Sequence, residues 1–152
     1  MIAAKKSSKA KVSLRMWSDS ASLSDVAERI NLKPAIVLEK GQPTVLPSGS
    51  ASKHLSSRNY VSFEDSTLDS GPSLPSQIER LLDLVASSRL VPEIRAGTIE
   101  AAIWLAIFNN DESWTTFLPR KLRDRSSEIG VRLLVEDYSN LNADGIPKIQ
   151  YL

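Results

Sequence analysis

Side chains able to do chemistry are few in this 152-residue chain, and they are poorly spaced for it. The one histidine, His54, follows Lys53 and precedes Arg58. It could act as a general base or touch an anion, but a lone histidine among serines reads more simply as an exposed loop residue. There is no cysteine, so disulfides, thiolate metal sites and cysteine nucleophiles are excluded together. A single histidine leaves too few ligands for zinc. Glu64, Asp65 and Asp69 could hold magnesium, yet nothing beside them reads as a phosphate-binding loop. Gly49-Ser50-Ala51-Ser52-Lys53 lacks both the first glycine of such a loop and its strand–loop–helix setting. Serine is abundant, but no Gly-x-Ser-x-Gly elbow occurs. The expectation is a protein that is not an enzyme and uses no metal and no cofactor.

The bulk properties point the same way. Lys and Arg number 19 against 18 for Asp and Glu, a net charge of +1, so there is no global electrostatic case for nucleic acid or a membrane surface. Residues 1–9 are basic and read as a disordered tail; no apolar run follows to make them a secretory signal. No stretch is long and apolar enough to cross a bilayer. These features predict a cytoplasmic protein with a single domain over residues 10–139 and a C-terminal extension over 140–152.

Periodicity predicts the elements that must position any site. From Lys11 to Trp17 the chain alternates, with Val12, Leu14 and Met16 inward and Arg15 and Trp17 outward. A short helix follows, with Ser22 as N-cap, Leu23, Val26, Ala27 and Ile30 as its apolar stripe, and Asn31 and Leu32 closing its end. Ile36 to Leu38 reads as a short strand, and the Gly- and Pro-marked region from Gly41 to Gly49 as turns and a mobile loop. Asn59 to Glu64 alternates again, with Val61 and Phe63 inward and Tyr60 outward. A helix opening at Pro75 carries Ile78, Leu81, Leu82 and Val85 at i, i+3, i+4 and i+7. Pro92 and Gly97 bracket a link into Thr98–Phe108, the most apolar strand. A last helix, capped by Thr116 with Pro119 in its first turn, ends at Gly130 and leads into a strand from Val131 to Tyr138. The predicted fold is a two-layer α/β sandwich, a ferredoxin-like plait with a mixed or antiparallel sheet of about four to five strands and an extra helix.

Leu23-Ser24-Asp25-Val26-Ala27, Ile30-Asn31-Leu32-Lys33-Pro34 and Lys40-Gly41, then Ser57-Arg58-Asn59-Tyr60, then Glu136-Asp137-Tyr138, stand in an order that resembles a bacterial domain-of-unknown-function family, the one numbered four-two-seven-nine. The resemblance spans most of residues 10–139. It implies an α/β fold and transfers no active site; a role in immunity or partner binding follows from it by analogy alone.

A two-layer sandwich leaves one sheet face without helices. By alternation that face carries Arg15, Trp17, Tyr60, Glu100, Trp104, Phe108, Arg132, Leu134, Glu136 and Tyr138. Trp, Tyr and Arg are the side chains enriched at binding hot spots. The sequence therefore predicts a protein-binding module, an immunity-type or accessory protein that blocks or positions a toxin or effector. Trp17, Tyr60, Trp104 and Phe108 would be its anchors, with Arg15 and Arg132 as orienting charges. A homodimer is another way to cover such a face. A competing reading is a small-molecule or nucleotide sensor with an anion pocket made by Lys40, Lys53, His54 and Arg58. A third is single-stranded nucleic acid stacking on the sheet aromatics beside Arg120, Lys121, Arg123 and Arg125. Glu100, Glu136, Asp124 and Glu128 count against that one.

Overall fold

A computed structural model describes residues 10–45, 51–64, 74–107, 118–137 and 148–151. In chain order the elements are β1 (Ala10–Ser18), α1 (Val26–Ile30), β2 (Ile36–Leu38), β3 (Pro43–Val45), β4 (Ala51–Leu55), β5 (Asn59–Glu64), α2 (Leu74–Ser87), α3 (Val91–Arg95), β6 (Glu100–Ile107), α4 (Arg120–Ile129), β7 (Arg132–Asp137) and β8 (Lys148–Tyr151). Six strands form one sheet in the order β2-β5-β1-β6-β7-β8, while β3 and β4 make a separate hairpin. Every pair in the large sheet is antiparallel except β6 with β7.

Alternation decides which side of this sheet meets the helices. Val12, Leu14 and Met16 of β1, Val61 and Phe63 of β5, Ala101, Ile103 and Leu105 of β6, and Leu133 and Val135 of β7 are buried in one cluster. The four helices among the described residues all feed that cluster: Val26 and Ile30 from α1, Ile78 to Val85 from α2, Ile94 from α3, and Leu122 and Ile129 from α4. The result is a two-layer α/β sandwich with its core between the helices and one sheet face.

The connections are specific. Both β1 and β2 run opposite to β5, so β1–α1–β2 is a crossover with β5 inserted between its parallel strands. Likewise β5 and β6 both run opposite to β1, so α2 and α3 carry the chain across β1. Beyond β6 the connection is of another kind: β6 and β7 lie side by side and parallel, joined by α4 with no strand between them. Three further elements correct the sequence reading. The expected loop from Gly41 contains the β3–β4 hairpin, the expected link after Leu90 contains α3, and the expected C-terminal extension contributes β8 to the sheet.

Helix ends follow the local sequence closely. Asn31 (φ 61°) and Gly130 (φ 92°) take left-handed conformations after α1 and α4. The backbone N–H of Leu32 donates to the Ala27 carbonyl, and that of Val131 to the Ser126 carbonyl, closing a Schellman motif at each end. The start signals were misplaced. Asp25 holds the N-cap position of α1 with no side-chain bond, and Pro119 is the N-cap of α4 rather than part of its first turn. Thr116 lies outside the described residues. Arg95 on α3 donates to the Glu128 carbonyl through Nε at 2.9 Å and Nη2 at 2.7 Å, tying α3 to the last turn of α4. No helix among the described residues is long and apolar enough to cross a membrane.

Gly130 and Gly97 both have positive φ, but a Cβ at Gly130 would stand 3.2 Å from Ile94 Cγ2, whereas at Gly97 it would meet nothing within 4 Å. Gly97→Ala should therefore cost only backbone strain, about 1 kcal/mol, and Gly130→Ala about 2–3 kcal/mol. Urea unfolding of both variants checks this; equal losses would contradict the stated packing at the α4–β7 turn.

Candidate functional site

The sheet face turned away from the helices is organised in cross-strand rows, because residues on one side of a sheet face each other across strand pairs. One row runs Leu38, Tyr60, Trp17, Glu100. The next runs Ile36, Ser62, Arg15, Ala102, Arg132. A third runs Glu64, Ser13, Trp104, Leu134, Tyr151. Arg15, Trp17, Tyr60 and Trp104 are half-buried and stand outside the core cluster. Ser13, Ser62, Ala102 and Leu134 between them are buried.

Aromatic contacts hold the rows together. The Trp17 and Tyr60 rings are tilted at 45° with centroids 5.6 Å apart, a favourable geometry for their quadrupoles. The Arg15 guanidinium lies 4.5 Å above the Trp104 ring, a cation–π contact across the diagonal of the pair Ser13–Trp104. The Trp104 indole Nε1–H is buried and has no acceptor among the described residues. Leaving such a donor unpaired costs about 1–3 kcal/mol.

Charges surround the aromatics. Arg58 donates from Nε to Asp19 Oδ1 at 2.8 Å and from Nη1 to Glu100 Oε2 at 2.9 Å. Arg132 Nη2 lies 4.0 Å from the same Glu100 oxygen. The hydrogen bond to Glu100 is the main reason the Arg58 pKa is raised; partial burial opposes it, and Asp19 adds to it. A raised value for a cation means its contribution to stability is present at all ordinary pH and lost only in strongly alkaline solution. Trp17, Arg58, Glu100, Trp104, Arg132 and Leu134 line a shallow depression of about 210 Å³.

The structure thus brings Arg15, Trp17, Tyr60, Trp104 and Arg132 onto one face and adds Arg58, which the sequence reading had assigned to a separate anion pocket. Of that pocket, Lys40 Nζ donates to the Asp19 carbonyl at 3.4 Å, and Arg58 is engaged by Asp19 and Glu100. Lys53 and His54 lie on β4, but their side chains are outside what the structure describes, as is Phe108 altogether. Asp19 was missed, because it follows the end of β1, where no periodic signal speaks. On the basic helix α4, Arg120 approaches Asp124 at 3.9 Å, and Arg125 pairs with Asp83 of α2 at 2.5 Å. Among the described residues, no group of three His, Asp or Glu side chains could hold a metal ion.

Compared with known proteins, the chain matches no family model, no curated protein and no solved structure.

The Arg58–Glu100 pair is partly solvated, its side chains 34% and 46% exposed. A double-mutant cycle with Arg58→Gln and Glu100→Gln should give a coupling of only about 0.5 kcal/mol, and it should shrink as salt is added. Thermal unfolding at low and high ionic strength measures it; a coupling insensitive to salt would contradict the solvated geometry.

Proposed function

We propose that this chain is a non-enzymatic binding protein that docks a protein partner on the sheet face turned away from the described helices. The observation that carries this reading is the gathering of Trp17, Tyr60 and Trp104 with Arg15, Arg58 and Arg132 outside the core. Half-buried aromatics offer large contact area at small further entropic cost, and mixed charges at their rim give orientation. The resemblance to the bacterial family adds the expectation of an immunity-type or accessory role, in which the protein blocks or positions a toxin or effector. Blocking asks only for a complementary surface, which suits a chain poor in reactive side chains. The absence of cysteine suits a cytoplasmic setting.

The two interleaved crossovers, β1–α1–β2 around β5 and β5–α2–α3–β6 around β1, support reading the β2-β5-β1-β6 half of the sheet as a ferredoxin-like plait. On that reading the β3–β4 hairpin is an insertion and α4–β7–β8 an appended unit. The sensor reading is weaker, because Lys40 and Arg58 already have partners within the chain.

Affinity purification of the tagged chain from its own cell, followed by titration of the captured protein, tests the reading. Trp104→Ala should weaken binding by more than about tenfold while unfolding stays cooperative. Parallel losses of binding and stability would place Trp104 among the residues that hold the fold and overturn the docking role.

A further inference from the structure

The outermost strand β2 lacks the protection that sheet edges ordinarily carry. It pairs with β5 on one side, and no strand among the described residues pairs with the other. The N–H and C=O groups turned away from β5 therefore offer a ladder to a further strand. Edge strands commonly discourage such pairing with a charge, and the sequence of β8, on the opposite edge, opens with Lys148. The strand β2 is Ile36-Val37-Leu38, preceded by Ala35, and holds no charge.

Among the described residues, the exposed large apolar side chains are Ile36, Val37 and Leu55, and two of these are neighbours on β2. Ile36 is 48% exposed and Val37 44%. Neighbours on a strand point to opposite faces. Ile36 shares the aromatic face with Ser62 and Arg15, while Val37 lies beside Val61 of the core. An object resting on either face would shade only one of the two. A strand laid along the edge shades both, because its own side chains alternate in the same way.

We propose that the occupant of this edge is β2 of a second copy of the chain, paired antiparallel about a two-fold axis at Ile36. Charge complementarity selects the copy. Lys33 and Glu39 stand at equal distances along the chain on either side of Ile36, both exposed and without an ion pair among the described residues. Pairing centred on Ile36 sets that residue opposite itself, Ala35 opposite Val37, and Lys33 opposite Glu39, the last two pairs each occurring twice. Opposite charges facing each other across strands stabilise a pair, and like charges oppose it. Centring on Val37 would instead put Glu39 opposite Ala35 and Lys33 opposite Gly41, leaving both charges unanswered. A strand from an unrelated protein would have no cause to mirror this pattern. A three-residue strand offers far less than the roughly 20–30 residues a side of a stable interface, so the dimer is weak and forms at high micromolar concentration. Its axis stands perpendicular to the sheet, which turns both aromatic faces to the same side and leaves them open. The dimer does not depend on the docking role of that face.

The absence of cysteine makes the test direct, since one substitution gives one thiol per chain. Residues directly opposite in an antiparallel pair have Cβ atoms about 4.5–5.5 Å apart, within a small adjustment of a disulfide. Under mild oxidation of the full chain at about 200 µM, Ile36→Cys should form a covalent dimer at least about tenfold faster than Lys121→Cys on α4. Val37→Cys, one residue off the axis and on the other face, should lag Ile36→Cys at least about threefold. Lys33→Glu should slow the trapping of Ile36→Cys at least about threefold, and adding Glu39→Lys should restore it. All five positions are exposed, so melting temperatures should stay within about 2 °C of the parent. Equal trapping of Ile36→Cys and Lys121→Cys overturns the second copy as occupant. Faster trapping of Val37→Cys overturns the axis at Ile36. A double charge variant as slow as Lys33→Glu alone overturns the Lys33–Glu39 complementarity on which the choice of a second copy rests.

Discussion

Everything in this structure depends on the register of β1 between two antiparallel neighbours. With Leu14 opposite Phe63 on one side and Ile103 on the other, the apolar residues of three strands fall on one face together. A slip of one residue would turn Val12, Leu14 and Met16 away from the helices and put Arg15 and Trp17 beneath them. Burial of that apolar face by α1, α2, α3 and α4 makes such a slip costly, so the core fixes what the opposite face displays.

The two faces are therefore built to different standards. The helix side is sealed by large apolar side chains such as Phe63, Leu14, Met16 and Leu105, all essentially without exposure. The other side is joined by ring contacts, a cation–π stack and partly solvated ion pairs, interactions that contribute little to stability when exposed. Side chains there can be exchanged with small loss of stability, and can change their contacts without unfolding the sheet. A surface of that kind suits recognition, since its residues are positioned by a rigid scaffold they do not themselves hold up.

Much of this was legible in the sequence wherever the signal is local. Alternation in β1, β5, β6 and β7 revealed which residues go to which face, and Asn31-Leu32 and Gly130-Val131 announced both Schellman ends. What escaped was either too short or too distant. Five-residue α3 contains barely more than one turn, so it carries no helical period, and Pro92 made it read as a link. The β3–β4 hairpin pairs Pro-Thr-Val with Ala-Ser-Lys-His-Leu, strands too short and mixed to show a strong apolar alternation. Pairing partners were invisible in principle. Nothing near Arg58 tells that its guanidinium reaches Glu100, 42 residues on, and nothing near Ala102 tells that two arginines stand beside it. The face could be read from one chain; the cross-strand neighbours on it could not.

Met16 and Trp17 offer the most direct measurement. They are sequence neighbours on opposite faces of β1, the methionine fully buried and the tryptophan half-buried. Hydroxyl-radical footprinting of the full chain, resolved to single residues, should oxidise Trp17 and spare Met16, although the thioether is intrinsically easy to oxidise. Rapid oxidation of Met16 with Trp17 protected would mean that the helices cover the aromatic face, and the account of a docking surface would fail with it.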